Sequence, residues 1–211
     1  MTGGFVTYVM NRGRMSLTAG AHGNVYRRDH FLFARPDLST RLYSNRGDKD
    51  EVSSFVKLAL EQGRVTWLAD VQVRRASFAY TPDRNAGIGR QTMDWTFVNP
   101  KLGMSMRLTP ELSWYASYGS NGREPTRNDM FAGFDNLDTT NAAFVGPLDR
   151  VRAERVRDAE AGVTYRSAAA ELSANLFDMR FRNEIAPIGA LSYGGGAGRG
   201  RCAGRGARGR S

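Results

Sequence analysis

Apolar and polar positions alternate with period two along most of this 211-residue chain. Met15, Leu17, Ala19, Ala21 and Val25 fall on one side of an extended segment, and Ser16, Thr18, His22, Asn24 and Tyr26 on the other. Val65, Trp67, Ala69, Val71 and Val73 oppose Thr66, Asp70, Gln72 and Arg74; Leu102, Met104, Met106 and Leu108 oppose Lys101, Gly103, Ser105 and Arg107. Leu112, Trp114, Ala116 and Tyr118 do the same against Ser113, Tyr115 and Ser117. Successive side chains of a strand point to opposite faces, so each run predicts a strand with one apolar and one polar face. The joints at Gln62-Gly63, Thr109-Pro110 and Arg166-Ser167 are short enough to force antiparallel hairpins. Longer polar connections are predicted at 29–51, 81–94 and 119–153. The stretch from Leu148 to Tyr165 is rich in helix formers, and a short helix after Pro147 is one reading. Its second half nevertheless sets Ala159, Ala161, Val163 and Tyr165 against Asp158, Glu160, Gly162 and Thr164, and the alternation resumes from Ala170, which favours a pair of strands.

Two all-β architectures share this pattern, a soluble sandwich and an antiparallel transmembrane β-barrel. Several runs reach the ~9–11 residues that cross a bilayer when tilted, against ~5–6 for common soluble strands. The polar face carries Lys57, Asp70, Arg74, Lys101 and Arg107 in mid-strand, as a wet lumen permits. Short turns at one end and long loops at the other complete the barrel signature. In that fold Trp67, Trp114, Tyr115 and Tyr118 are candidates for the aromatic belt at the membrane boundary; in a sandwich they would be core.

Charge changes this picture little. The net +9 includes five arginines of the C-terminal tail, Arg199, Arg201, Arg205, Arg208 and Arg210, which leaves +4 for residues 1–193. After Tyr193 only Gly, Arg, Ala, Cys and Ser occur. Such a set is expected from a GC-rich gene read out of frame, so 194–211 is expected to be a disordered, out-of-frame tail following a barrel region at 1–193. An arginine-glycine segment for nucleic acid is the competing reading, but no aromatic platform accompanies it, and no nucleic-acid partner is expected. Cys202, the single cysteine, also lies in this tail, so no disulfide framework or cysteine-built metal site is available upstream. No cofactor, metal motif or catalytic constellation is visible, and the chain is not expected to be an enzyme.

The stretch from Asn99 to Met130, with "NPKLG", a turn at Thr109-Pro110, "YASYG" and "REPTRNDMF", resembles the mid-barrel region of TonB-dependent outer-membrane receptors. "AERVRDAEAGVTYR", "LSANLFDMRFRNEI", "GNVYRRDHF" and "GDKDEVSSFVKLAL" add weaker likeness, so that the resemblance spans roughly Gly13 to Tyr193. It implies a plugged barrel of about 22 strands, of which about nine or ten would be present here at ~10 residues each. It further implies location in the Gram-negative outer membrane, contact with outer-membrane lipid, and energised uptake of a scarce small-molecule nutrient, most often an iron–siderophore complex. Energy would come through a periplasmic protein of the TonB system. The sequence shows no signal peptide, partner-binding box, plug or aromatic-terminated last strand, so the expectation is a receptor fragment not competent for transport alone.

Candidate site residues follow from position. Asp129, Asp135 and Asp138 cluster in the loop after "REPTRN", where carboxylate oxygens are available to a cation or ligand group, although their spacing matches no calcium loop. His22, and with it His30, offers an imidazole on or near the polar face. Asn99, Pro100, Arg123, Glu124 and Pro125 are expected to act structurally, the proline by ending strand pairing and fixing the exit of the loop. Gly87–Gly89 is a turn rather than a phosphate loop, for want of a strand before it and a helix after it.

Overall fold

The computed structural model describes residues 1–185, and the expectations for the tail at 194–211 lie outside the described residues. Eight strands form one sheet: β1 (Thr2–Arg12), β2 (Met15–Phe33), β3 (Arg41–Gln62), β4 (Val65–Thr81), β5 (Gln91–Arg107), β6 (Leu112–Arg123), β7 (Glu154–Arg166) and β8 (Glu171–Arg182). Each is antiparallel to the next, in sequence order, and β1 does not pair with β8, so the described sheet is open. The expectation of nine or ten strands is thereby corrected to eight among the described residues. Its cause is length: β2 and β3 run for 19 and 22 residues, twice the unit used for counting.

The same two strands correct the predicted connection at 29–51, which shrinks to residues 34–40. Residues 41–51 read as loop because both faces there are polar. They are strand all the same, with Arg46 bonded to Asp29 at 2.7 Å and Arg27 set 3.9 Å from Asp48 across the β2–β3 ladder. Alternation marks a strand only where one face meets lipid; above the membrane both faces meet water. The other long connections narrow to 82–90 and 124–153. The segment after Pro147 forms a single 3₁₀ turn, Leu148–Arg150, and then enters β7.

Register places the apolar positions together. Leu17 faces Leu58, Leu58 faces Ala69, Ala69 faces Leu102, and Leu102 faces Tyr118, a continuous row on the outer side of the sheet. Large side chains on that side stand open, Leu102 at 63% and Leu176 at 80% exposure, which in water would be untenable and in hydrocarbon is the expected state. Trp67, Trp114 and Tyr165 lie on it near the short turns, forming an aromatic rim, and Tyr118 faces outward as well. Tyr115 does not: next to Trp114, it must point the other way, and its hydroxyl donates to Glu160 and Asn175 inside. Lys57, Asp70, Arg74, Lys101 and Arg107 share the inner side with His22 and Asn99. The hairpin turns use Gly13 and Gly63 at φ +58° and +64°, a backbone region that other residues enter only with strain.

At the long-loop end, residues 124–153 fold back over the inner face. Phe131, fully buried, meets the Tyr80 ring edge-on at 4.8 Å and the Phe78 ring at 6.4 Å. Met130, Leu137, Val145 and Leu148 complete this cluster. It is the one substantial apolar core of the described residues, and it anchors the loop to β4 rather than building the sheet.

The two faces predict opposite tolerance to charge. Leu102→Arg, at the middle of the outer row, is expected to cost ~2–4 kcal/mol. Ser117→Arg, on the inner face beside Glu160, is expected to be nearly neutral. Denaturant unfolding in detergent micelles checks both, and equal costs would overturn the assignment of faces.

Candidate functional site

The ladder between β5 and β6 runs from Arg107–Ser113 to Lys101–Gly119 and stops there, next to Pro100, which has no N–H to give. Asn99 takes over the lost pairing with its side chain. Its Oδ1 accepts from the Gly122 amide at 3.0 Å, and its Nδ2 donates to Gln72 Oε1 at 3.1 Å. The Phe97 ring, 1% exposed, lies so close against Gly122 that a Cβ there would overlap it. Asn99 and Pro100, expected to be structural, thus sit where β6 departs from β5 toward the mouth.

Beyond that point Arg123 pairs with Glu154 of β7 at 3.2 Å, and Glu124 turns inward, 7% exposed. Glu124 accepts from Lys49 Nζ at 2.7 Å and from both terminal nitrogens of Arg74. Arg74 also donates to Glu51 at 3.0 Å and stacks its guanidinium 4.9 Å from the centre of the Phe97 ring. Glu51 in turn bonds His22 Nε2 at 3.0 Å, and Ser53 Oγ lies 2.8 Å from His22 Nδ1. His22 therefore has both ring nitrogens engaged and ends a polar chain across β2, β3 and β4. At that end His22 borders a lumen cavity of about 530 Å³, formed with Phe55, Lys57, Asp70 and Lys101. Burial alone would raise the pKa of Glu124, but the hydrogen bonds from Arg74 and Lys49 outweigh it and bring the value down to about 2.

Pro125 opens the loop, and Thr126 caps the short helix α1 (Arg127–Met130). Asp129 is the other half of that cap, its carboxylate accepting from the Thr126 amide and hydroxyl, each at 2.7 Å. Asp138 accepts from the Thr140 amide at 2.8 Å and its hydroxyl. Asp135 contributes its backbone carbonyl, which takes Asn45 Nδ2 at 3.0 Å and an Arg127 nitrogen. The three carboxylates are thus spread along the loop rather than converging, and His22 is not brought to them. Among the described residues no group of His, Cys, Asp or Glu is placed to hold a metal ion.

Arg127 had no place in the sequence reading, although it stands inside the quoted "REPTRNDMF". Its guanidinium lies 5.0 Å from the Phe131 ring and 5.9 Å from Tyr80, one terminal nitrogen donates to Asn45 Oδ1 at 3.1 Å, and its buried Nε has no partner. It forms no ion pair among the described residues, and desolvation holds its pKa below the ordinary arginine value. Arg127 borders a mouth cavity of about 1020 Å³, with Arg28, His30, Tyr43, Trp95 and Asp135 also on its wall. Ligand pockets commonly hold ~300–1,000 Å³.

Long antiparallel strands, apolar outside and charged within, with tight turns at one end and a packed loop at the other, define the wall of an outer-membrane-type β-barrel. Residues 3–209 match the family model described as TonB dependent receptor-like, beta-barrel, and the chain belongs to that family. Among solved structures it is similar to the copper transporter OprC, at 15% identity and TM-score 0.66 over 85% of this chain and 29% of that one. It is also similar to the ferric-catecholate import receptor Fiu from Escherichia coli K12, at 13% identity and TM-score 0.62 over 85% of this chain and 30% of that one. The ferric yersiniabactin uptake receptor FyuA from Yersinia pestis matches at 14% identity and TM-score 0.58, over 83% of this chain and 27% of that one. The chain thus spans under a third of the length of each. No curated protein sequence matches it.

Glu124 supplies a pH test. A carboxyl depressed in the folded state stabilises above its ordinary pKa, and that stabilisation disappears as pH falls through the folded value. The docking of 124–131 is therefore expected to hold at pH 5 and to loosen between about pH 4.5 and 2. Glu124→Gln is expected to weaken it at pH 7 by about 2–3 kcal/mol, since Arg74 keeps Glu51. Amide hydrogen exchange of residues 124–131 reads both, and an unchanged E124Q protection pattern would show that the carboxylate charge is not what docks the loop.

Proposed function

We propose that this chain forms part of the barrel wall and an external loop of an outer-membrane receptor for energised uptake of a scarce nutrient, and that the ligand is an anionic metal chelate of the iron–siderophore type. The supporting observation is Arg127, a guanidinium half withdrawn from water, stacked on aromatic rings and lacking a carboxylate partner among the described residues. Most acids near the mouth are already committed: Glu124 to Lys49 and Arg74, Asp29 to Arg46, Glu154 to Arg123. Arg28 stands in the same cavity without an ion pair among the described residues, and Tyr43 and Trp95 supply flat apolar walls. Cation and ring together suit a ligand that carries negative charge on an aromatic or conjugated frame.

Within this reading Asp135 is a ligand-facing group at the edge of the cavity, while Asp129 and Asp138 shape the loop and His22 lines the lumen beneath. Arg123, Glu124 and Pro125 hold the mouth open at a fixed angle. Energy would reach the full receptor through a periplasmic protein of the TonB system, and the chain alone would not transport. The family supports receptor function in the outer membrane of Gram-negative bacteria, and the neighbours named for iron chelates and copper support a metal-linked cargo without choosing between them.

In outer-membrane vesicles carrying the protein, a ferric tris-catecholate is expected to bind above the level of vesicles lacking it. Arg127→Gln is expected to weaken that binding about tenfold, the loss of one charge-assisted contact. Radiolabelled iron retained on filters measures it. Equal retention by R127Q, or a preference for a cationic chelate, would overturn the proposal.

A further inference from the structure

The outer face carries charge very unevenly at its long-loop end. Over β2 to β5 three outward arginines have an acid: Arg27 lies 3.9 Å from Asp48, Arg46 bonds Asp29 at 2.7 Å, and Arg75 bonds Asp94 at 3.4 Å. On β7 and β8 the pattern reverses. Arg157 stands directly opposite Arg180, and Arg155 directly opposite Arg182. Their neighbours in sequence, Val156, Asp158 and Met179, line the lumen cavity, so these four side chains point outward, and all four are exposed. One acid serves the group, Asp178, at 2.9 Å from Arg180. Arg155, Arg157 and Arg182 have no ion pair among the described residues.

Like charges directly opposite on an antiparallel pair destabilise it, and here two such pairs follow one another. Opposed side chains sit ~5 Å apart and successive ones on a face ~7 Å apart, so the four guanidinium groups share an area a phosphate or two would cover. Below them come Ala159, with Asp178 opposite it, and then Ala161 facing Leu176, where the apolar row resumes. The arginines therefore lie where hydrocarbon gives way to headgroups. All four are arginine, whose planar fork donates two parallel hydrogen bonds to one phosphate, which lysine does not.

We propose that Arg155, Arg157, Arg180 and Arg182 form a binding site for the phosphate groups of an anionic glycolipid in the outer leaflet, and that this lipid supplies the charge the sheet itself lacks. The site rests on the outer-membrane reading above and is independent of the ligand in the mouth. Its position accounts for the repulsion: among the described residues the outward flank of β7–β8 has one acid for four arginines, and bound phosphates would balance the rest.

The test uses the full chain extracted from membranes in a non-ionic detergent, titrated with bis-phosphorylated lipid A and read by native mass spectrometry. Phosphatidylcholine is the zwitterionic control and inorganic phosphate the competitor. A lipid A adduct is expected, absent with phosphatidylcholine and not displaced by an equal concentration of phosphate. R157Q/R180Q is expected to lower it about tenfold, R157K/R180K, which keeps the charge and loses the fork, to lower it by less, and R75Q, from an outward arginine already paired with Asp94, to leave it unchanged. Circular dichroism of each variant confirms that strand content is kept. Equal lipid A retention by R157Q/R180Q, equal loss in R75Q, or displacement by free phosphate would overturn the site while leaving the barrel intact. A chain that stays dispersed without detergent and takes up no lipid would instead sink the membrane reading, and the site with it.

Discussion

A carboxylate taken out of bulk water needs cations at hand, and Glu124 finds Arg74 on β4 and Lys49 on β3. Much of the mouth depends on that convergence. β6 has left β5 at Gly119, so nothing in the backbone ladder between them holds Arg123 to Pro125 against the wall. The ion pair does so, with Asn99 Oδ1 accepting from the Gly122 amide N–H and Phe97 filling the space beside Gly122. From Pro125 onward the loop begins in a fixed direction, the Thr126 cap starts α1, and Phe131 reaches the Tyr80 ring. Moving Glu124 would displace Arg127, the residue on which the proposed ligand contact rests.

The strands were legible wherever lipid meets one face, because that condition imposes alternation on the sequence itself. Residues 65–74 of β4 and 15–26 of β2 could be drawn residue by residue. Strand ends were not legible. From Arg46 to Asp50 both faces are hydrophilic, and a polar run inside a strand carries the same composition as a loop. The count of strands failed for that reason and not through any misplaced hairpin, since all three turns read from the sequence join the strands they were read to join.

The site was legible in its parts and not in its pairings. Arg74 stood out as a mid-strand charge on the wet face, and Glu124 as part of a recognisable stretch, yet they are 50 positions apart and nothing local couples them. Register is what brings them together, and register follows only once β4, β5 and β6 are placed. The aspartates misled in the other direction. Closeness in sequence suggested a shared ligand, but Asp129 and Asp138 are spent on turns next to themselves, which is what short acidic side chains in loops most readily do. Arg127 was the residue with a signal available. It stands three positions after Glu124, in a loop that also bears Phe131 and Phe134, so rings for its guanidinium lie within a few residues along the chain.

The sheet also shows that a β-barrel wall need not be electrostatically complete in itself. Inside, many of the charges close among themselves, Lys57 with Asp70, Arg74 with Glu51 and Glu124, His22 with Glu51, and those left without an ion pair among the described residues include Arg28 and Arg127 at the mouth. Outside, Arg27, Arg46 and Arg75 each have an acid beside them, whereas of the four arginines opposed on β7–β8 only Arg180 has one. Had the four arginines there faced water, screening would make their repulsion cheap at an ~8 Å Debye length. In the proposed placement they sit at the edge of a low-dielectric slab, where an unmatched charge costs more and a bound phosphate gains more. An arginine excess placed on that boundary, four arginines with the single acid Asp178 to match them, is what a surface completed by its membrane would require.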